Sequence, residues 1–271
     1  MAGLEIREMD PSTEYFVGTC SHVGESGEID DCGRRRLGWL HAMREKGLRV
    51  HVALLDTDPV GFIYSMPIEA CPWGPVGRDL TVIPCLWVLE KGRGVGAGRG
   101  LVAEVEREAE ERKPSGASYA PGESKGVCAE AYFWDFWFMP GGFYEKLGYT
   151  VIARRGERAL LWKVFDDSAE PPRFFESAYR FEPVPGRVVV DLFWNRLCQT
   201  SEIEAQRVRE VAAEFGDRVL LNEFPAHEPA VRDRYQLSRG IYVNGEEVFW
   251  GYEAPREGIR EAIEKALSPS A

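Results

Sequence analysis

The sequence predicts an α/β protein in two parts, a larger domain built on a mixed sheet and a smaller α/β domain after it. Three observations lead there. Apolar runs of strand length alternate with amphipathic stretches of helix length. A proline-rich segment interrupts that alternation in the second half of the chain. At 271 residues the chain exceeds one domain of roughly 150.

In the first part, residues 4–9 are expected as a strand. Residues 34–46 are expected as a helix, with Leu37, Leu40 and Met43 on one face. Residues 49–55 and 60–68 form two strands joined by Asp56, Thr57, Asp58 and Pro59, a hairpin signature. After a Pro/Gly loop at 71–77, residues 80–89 are almost continuously apolar, as suits a strand buried on both faces. A glycine-rich turn at 92–100 leads into a helix at 98–112, with Leu101, Val102, Val105 and Ala109 inward. A strand at 127–131, an aromatic run, a short helix at 143–147 and strands at 149–153 and 159–164 complete a mixed sheet.

The segment Asp166-Asp167-Ser168-Ala169-Glu170-Pro171-Pro172 and the later Pro183-Val184-Pro185-Gly186 interrupt helix and sheet alike. They predict a first domain at 1–166, a linker at 167–186 and a second domain at 187–271. The second opens with a strand from Arg187, then a helix with Val208, Val211 and Phe215 inward. A strand at 219–224, a helix at 228–235, a hairpin of 240–243 with 248–250 turning at Asn244-Gly245, and a last helix bearing Ile259, Ile263 and Leu267 give a βαβαββα order.

Composition narrows the partners. With 33 Lys and Arg against 44 Asp and Glu, the net charge is −11, so there is no broad basic surface for nucleic acid or anionic lipid. No apolar run approaches the roughly 18 residues of a spanning helix, and residues 1–10 lack a signal-peptide core, so a cytoplasmic location is expected. Six scattered cysteines without a CxxC pair suit reduced thiols.

The strongest chemical signal is Lys91-Gly92-Arg93-Gly94-Val95-Gly96-Ala97-Gly98, placed between a buried strand and a helix. Exposed amides and the helix dipole there make an anion site suited to a phosphate or pyrophosphate, with Lys91 and Arg93 at its rim. A flexible turn is the bland alternative. The dinucleotide pattern G-x-G-x-x-G fails at Arg99, and no G-x-x-x-x-G-K-[ST] loop occurs.

Together, Leu86-Trp87-Val88, the turn from Lys91 to Gly96, and Gly142-Phe143-Tyr144-Glu145-Lys146-Leu147-Gly148-Tyr149 some fifty residues later resemble the GNAT superfamily of N-acetyltransferases. Its acyl-CoA motif is Q/R-x-x-G-x-G/A and its later helix often reads FYEKLGF; Lys91 stands where that family usually has Gln or Arg. The resemblance spans the first domain and implies a GNAT-type mixed sheet with splayed central strands. It implies acetyl-CoA as co-substrate, bound through the turn from Gly92 to Gly98 with its pyrophosphate on Gly94 to Gly98, and its thioester carbonyl meeting backbone donors near Trp87 and Val88. It also implies Tyr144 as the acid that protonates the departing CoA thiolate, an ordinary packed aromatic being the alternative. For the general base, Glu69, Asp79, Glu130 and Asp135 lie near strand ends, and Glu130 is preferred.

The aromatic run from Tyr132 to Phe138 either lines an acceptor pocket or belongs to a core. Cys20, His22 and Cys32 are metal-ligand types without an obvious fourth partner, so no metal is expected. The second domain is similar to the thioredoxin-like, YoaP-type domain attached to some acetyltransferases. That similarity puts Cys198 at the N-terminus of the first helix, where a dipole favours thiolate. Ser201 replaces a second cysteine, and residues 237–241 lack the proline such folds carry before the hairpin strand, so dithiol chemistry is not implied. The leading expectation is an N-acetyltransferase acting on a small-molecule or peptide amine. Two alternatives are a Cys198-dependent redox or thiol-adduct protein with an acyl-CoA-sensing domain, and a non-catalytic acyl-CoA sensor. Pairing into a homodimer is left open.

Overall fold

The computed structural model describes residues 3–112, 123–134 and 138–268. The chain forms two compact units, Met1–Val23 with Leu40–Phe175, and Gly24–Trp39 with Glu176–Ala271. The first unit contains β1 (Leu4–Glu8), α1 (Glu14–Gly18), the end of α2 (Gly27–Arg44), β2 (Arg49–Leu55), β3 (Asp58–Pro67), β4 (Thr81–Val88), α3 (Ala97–Glu111), β5 (Gly126–Tyr132), α4 (Gly141–Glu145), β6 (Thr150–Arg155) and β7 (Arg158–Val164). The strands lie in one sheet in the order β1-β2-β3-β4-β5-β7-β6.

One junction in this sheet is parallel, and it shapes the site. A parallel neighbour needs a crossover, which α3 supplies between β4 and β5. Their register covers Thr81↔Val127, Val82↔Cys128 and Ile83↔Ala129. Beyond it β4 stays with β3 as far as the Gly61↔Val88 pair, while β5 stays with β7 as far as Tyr132↔Arg158. The two central strands therefore part. The sequence supplies a cause, because Pro84 follows the last pair and has no amide hydrogen to extend a ladder. The β3/β4 register also shifts at this level, between Tyr64 and Met66.

Helix α3 covers one face of the sheet. Leu101, Val102, Val105 and Ala109 are buried as the 3.6-residue period requires, and they share a core with Ile63, Ile83, Val127 and Ala129. The proline-rich stretch is only partly a linker. Val76 and Arg173 exchange backbone hydrogen bonds of 2.9 and 2.8 Å, and Phe174 is buried, so the first unit extends to Phe175 rather than ending at 166.

The second unit contains β8 (Val188–Trp194), α5 (Gln199–Glu214), β9 (Val219–Pro225), α6 (Pro229–Tyr235), β10 (Gly240–Val243), β11 (Glu246–Val248) and α7 (Arg256–Leu267). Its sheet runs β11-β10-β8-β9, with β8 and β9 parallel and the other pairs antiparallel. The βαβαββα order is the expected one. The last strand begins two residues earlier than expected, because Asn244 and Gly245, both at positive φ, complete a two-residue hairpin turn and the ladder resumes at Glu246.

A larger departure concerns residues 24–39, which pack with the second unit. Helix α2 starts at Gly27, not Arg34. Its Arg36, 1% exposed, donates a 2.7 Å hydrogen bond to the Leu197 carbonyl, and Arg35 Nε meets Glu202 Oε1 at 2.6 Å. Glu28 pairs with Arg207 and Arg256 at 2.6 and 2.8 Å. Of these groups Arg36 and Glu202 are buried, so removing the partner of either leaves a buried charge uncompensated.

Leu101 is fully buried between α3 and the sheet. Leu101→Ala is expected to cost about 2–5 kcal/mol of stability in the first unit, read as a lower denaturant midpoint for near-ultraviolet circular dichroism. A change below 1 kcal/mol (roughly, a surface substitution) would remove this residue from the core.

Candidate active site

The turn before α3 is built so that its backbone donors point outward. Gly94 and Gly96 adopt φ of 75° and 94°, a region side-chain-bearing residues avoid. Gly96 is the N-cap of α3 and makes no side-chain cap hydrogen bond. At the start of α3, Gly100 N–H donates to Gly96 O at 2.9 Å. The amides of Ala97, Gly98 and Arg99 therefore lack partners within their helix. No acidic residue sits in the first turn of α3, so the positive end of the helix dipole is not offset by a carboxylate of its own.

These amides open into a cavity of about 520 Å³. Its walls are Leu86, Trp87 and Val88 from β4, Gly92, Arg93, Gly94, Gly96, Ala97, Gly98 and Arg99 from the turn and α3, and Met139, Pro140 and Phe143 from the entry to α4. The departure of β5 creates the β4 side of this space. Leu89 donates to Val60 O in β3, so by strand alternation Trp87 N–H also turns to β3, and the amides of Leu86 and Val88 turn the other way. The outward backbone donors near Trp87 are thus those of Leu86 and Val88, and the amide of Trp87 itself belongs to the β3 ladder. Trp87 contributes its side chain, whose Nε1 donates to Ser21 Oγ at 2.9 Å.

Two residues of the expected turn lie outside the cavity wall. Lys91 Nζ is 3.3 Å from Asp58 Oδ2, and Val95 is 48% exposed. Arg99, which lines the cavity from the first turn of α3, had no signal beyond its place in the glycine cluster. Met139 and Pro140 were equally hidden, since nothing local ties them to β4.

Tyr144 is fully buried on α4 and does not line the cavity wall. Its hydroxyl donates to Met139 Sδ at 3.2 Å, and Met139 is a wall residue. Burial pushes the phenol well above its ordinary value, with Cys85 adding to the rise, so it stays protonated. Glu130 lies one residue beyond the last β4/β5 pair, on the sheet face opposite Ala129 and Ala131. It too is outside the cavity wall. Its carboxylate accepts from Arg158 Nε at 2.8 Å, yet burial outweighs that cation and raises its pKa. Of the other base candidates, Glu69 accepts from Asp79 N–H at 2.6 Å, and Asp79 Oδ2 faces Lys125 at 3.4 Å. Asp135, Phe136 and Trp137 fall outside the described residues.

Solved structures resemble part of the chain. An acetyltransferase from Streptococcus agalactiae shares 15% identity over 60-odd per cent of this chain, 61%, and all of its own, with a TM-score of 0.42. An acetyltransferase from Thermus thermophilus shares 16%, covering 61% of this chain and 100% of its own, at 0.41. The PaiA N-acetyltransferase from Thermoplasma acidophilum, solved with coenzyme A, shares 14%, covering 60% and 99%, at 0.39. No family model matches the sequence, and no curated protein matches it significantly. Likeness of this size does not assign the chain to a family, and its chemistry has to come from its own residues.

In the second unit Cys198 is the N-cap of α5 and half-buried. Its amide donates to Asn195 Oδ1 at 3.0 Å, while Asn195 N–H donates to the buried Ser201 Oγ at 3.0 Å. Ser201 thus holds the turn that presents Cys198. Cys32 is buried in the same unit, its thiol 3.7 Å from Gln199 O, and burial pushes its pKa up to about 12. Among the described residues, His51, Glu104 and Glu108 place ligand-type atoms within 4.8 Å of one another. Arg107 pairs with Glu104, and the nearby Arg49 and Arg112 act on Glu108, so the cluster is matched by its own cations. It lies two to three helical turns along α3 from the cavity.

Gly96→Asp is expected to weaken acetyl-CoA binding at least tenfold (about 1.4 kcal/mol or more), because it strains a φ of 94° and sets a carboxylate against the helix amides. Titration calorimetry showing wild-type affinity would remove the turn from the site. Near neutral pH, iodoacetamide with peptide mapping is expected to modify Cys198 well before Cys32 and Cys128, both held protonated by burial. Equal labelling of the three would contradict that order.

Proposed function

We propose that the first unit is an acyl-CoA-dependent N-acyltransferase that moves an acetyl group from acetyl-CoA to the amine of a small molecule or peptide. One observation carries the reading: a single cavity joins the amides at the start of α3 to the edge of β4 where its partner strand has left. The first feature suits a pyrophosphate and the second a thioester carbonyl, and one extended ligand carries both groups.

In this reading the pyrophosphate rests on the amides of Ala97, Gly98 and Arg99, with the Arg93 and Arg99 side chains beside it. The Leu86 and Val88 amides receive the carbonyl oxygen as negative charge develops on it. The amine nitrogen attacks the carbonyl carbon, a C–N bond forms, and the C–S bond breaks. Glu130 accepts the proton from nitrogen, and Tyr144 gives a proton to the thiolate, whose reference pKa is near 8.5. Solvent returns both groups to their starting states. Burial makes the Glu130 carboxylate a stronger base. It also holds the Tyr144 phenol protonated while making it a weaker acid, so the support for Tyr144 is its place beside the Leu86 amide on Met139 rather than its acidity.

For the second unit, the βαβαββα order and the sheet order β11-β10-β8-β9 support a thioredoxin-like reading. Cys198 at a helix N-terminus favours a single-thiol role there, because Ser201 is committed to the Asn195 turn.

Acetyl-CoA consumption across a panel of amines, followed by thiol release, tests the activity. Acetyl-CoA binding without turnover on any amine would favour the sensor instead. Tyr144→Phe is expected to lower kcat by about 10²- to 10⁴-fold with little change in acetyl-CoA affinity; an unchanged kcat would make the tyrosine structural. Glu130 works as a base only when ionised, so kcat/KM is expected to fall as pH drops through a value above the ordinary carboxylate range. Glu130→Gln should lower the rate and abolish that acid limb, and a limb that persists in the variant would assign the base elsewhere.

A further inference from the structure

We propose that Met139 is a placeholder for the thioester: its sulfur holds the Leu86 amide and the Tyr144 hydroxyl until acyl-CoA displaces it. The inference rests on the acyl-CoA reading above and adds a residue to it. Met139 Sδ accepts from Leu86 N–H at 3.2 Å and from Tyr144 O–H at 3.2 Å. One donor comes from the edge of β4 beyond the point where β5 leaves it, the other from α4. Those are the two donors that the reaction needs, one for the carbonyl oxygen and one for the departing sulfur. They meet on a single thioether.

The sulfur is a weak acceptor in a place where an unpaired amide and a buried phenol would otherwise be costly. A methionine answers that need because its side chain is flexible and its sulfur polarizable. Its backbone is pinned: Tyr132 N–H donates to Met139 O at 2.9 Å, and Met139 adopts φ of 46°, in the left-handed region that residues with a Cβ seldom occupy. The anchor therefore stays while the side chain can turn. Met139 is 1% exposed yet forms part of the cavity wall, so the space it would vacate is continuous with the space that acyl-CoA would enter. When the thioester arrives, its carbonyl oxygen takes the Leu86 amide and its sulfur takes the Tyr144 hydroxyl. The displaced side chain cannot keep either bond.

Two measurements test this. Protein labelled with methyl-¹³C methionine carries five such residues, and the Met139 signal is assigned by its loss in Met139→Leu. In the wild type that signal should shift on adding acetyl-CoA but not on adding 3′-phospho-ADP, which has no pantetheine arm. In Met139→Leu, similar in volume but without an acceptor, acetyl-CoA should bind about 3- to 10-fold more tightly, with 3′-phospho-ADP unchanged. If none of the methionine signals moves while acetyl-CoA binds, the placeholder alone is overturned, even if the variant fails to fold. Unchanged or weaker acetyl-CoA binding by a variant that still takes 3′-phospho-ADP normally overturns it too. If the wild type binds neither ligand, the acyl-CoA reading falls with it.

Discussion

Everything at the candidate site follows from the length of one strand pair. β4 and β5 are held together at Thr81, Val82 and Ile83 and then separate, each keeping its outer neighbour. A sheet that stayed closed would spend the Leu86 and Val88 amides on a ladder and leave no room beside them. Opening the sheet costs hydrogen bonds in the middle of a buried structure, so other groups must answer for them. In this protein Met139 answers for Leu86, and the core beneath α3 keeps the rest of the sheet in register.

The same opening decides where the helix end can act. α3 is the crossover between the two parting strands, so its first turn necessarily starts beside the gap. The glycines at 94 and 96 bring the chain round in a left-handed path that ends with amides facing the cavity. Charge follows backbone: Arg93 and Arg99 stand at the wall, while Lys91 is drawn off to Asp58. The positive character of the opening thus comes from the helix amides together with Arg93 and Arg99, and Lys91 takes no part in the wall.

Legibility in the sequence tracked the range of the interaction. The apolar run at 80–89, the inward set Leu101, Val102, Val105 and Ala109, and the glycine turn are local patterns, and each appears in the fold where expected. The βαβαββα order of the second unit was equally readable. The placement of residues 24–39 was not, because it depends on Glu28, Arg35 and Arg36 meeting groups more than 150 positions away. Met139 escaped notice for a related reason. Its role comes from two donors, 53 and 5 residues distant, that only the tertiary fold brings to one sulfur. Glu130 and Tyr144 were legible as chemical types, but their burial and their offset from the cavity wall were not.

The central claim is that one extended ligand engages the β4 edge and the α3 N-terminus together. Amide hydrogen exchange resolved to single residues, with and without acetyl-CoA, tests it most directly. Added acetyl-CoA is expected to slow exchange at Leu86 and Val88 and at Ala97, Gly98 and Arg99, and 3′-phospho-ADP to slow only the second group. Binding of acetyl-CoA that leaves both groups unchanged, or protects amides elsewhere in the chain instead, would contradict it.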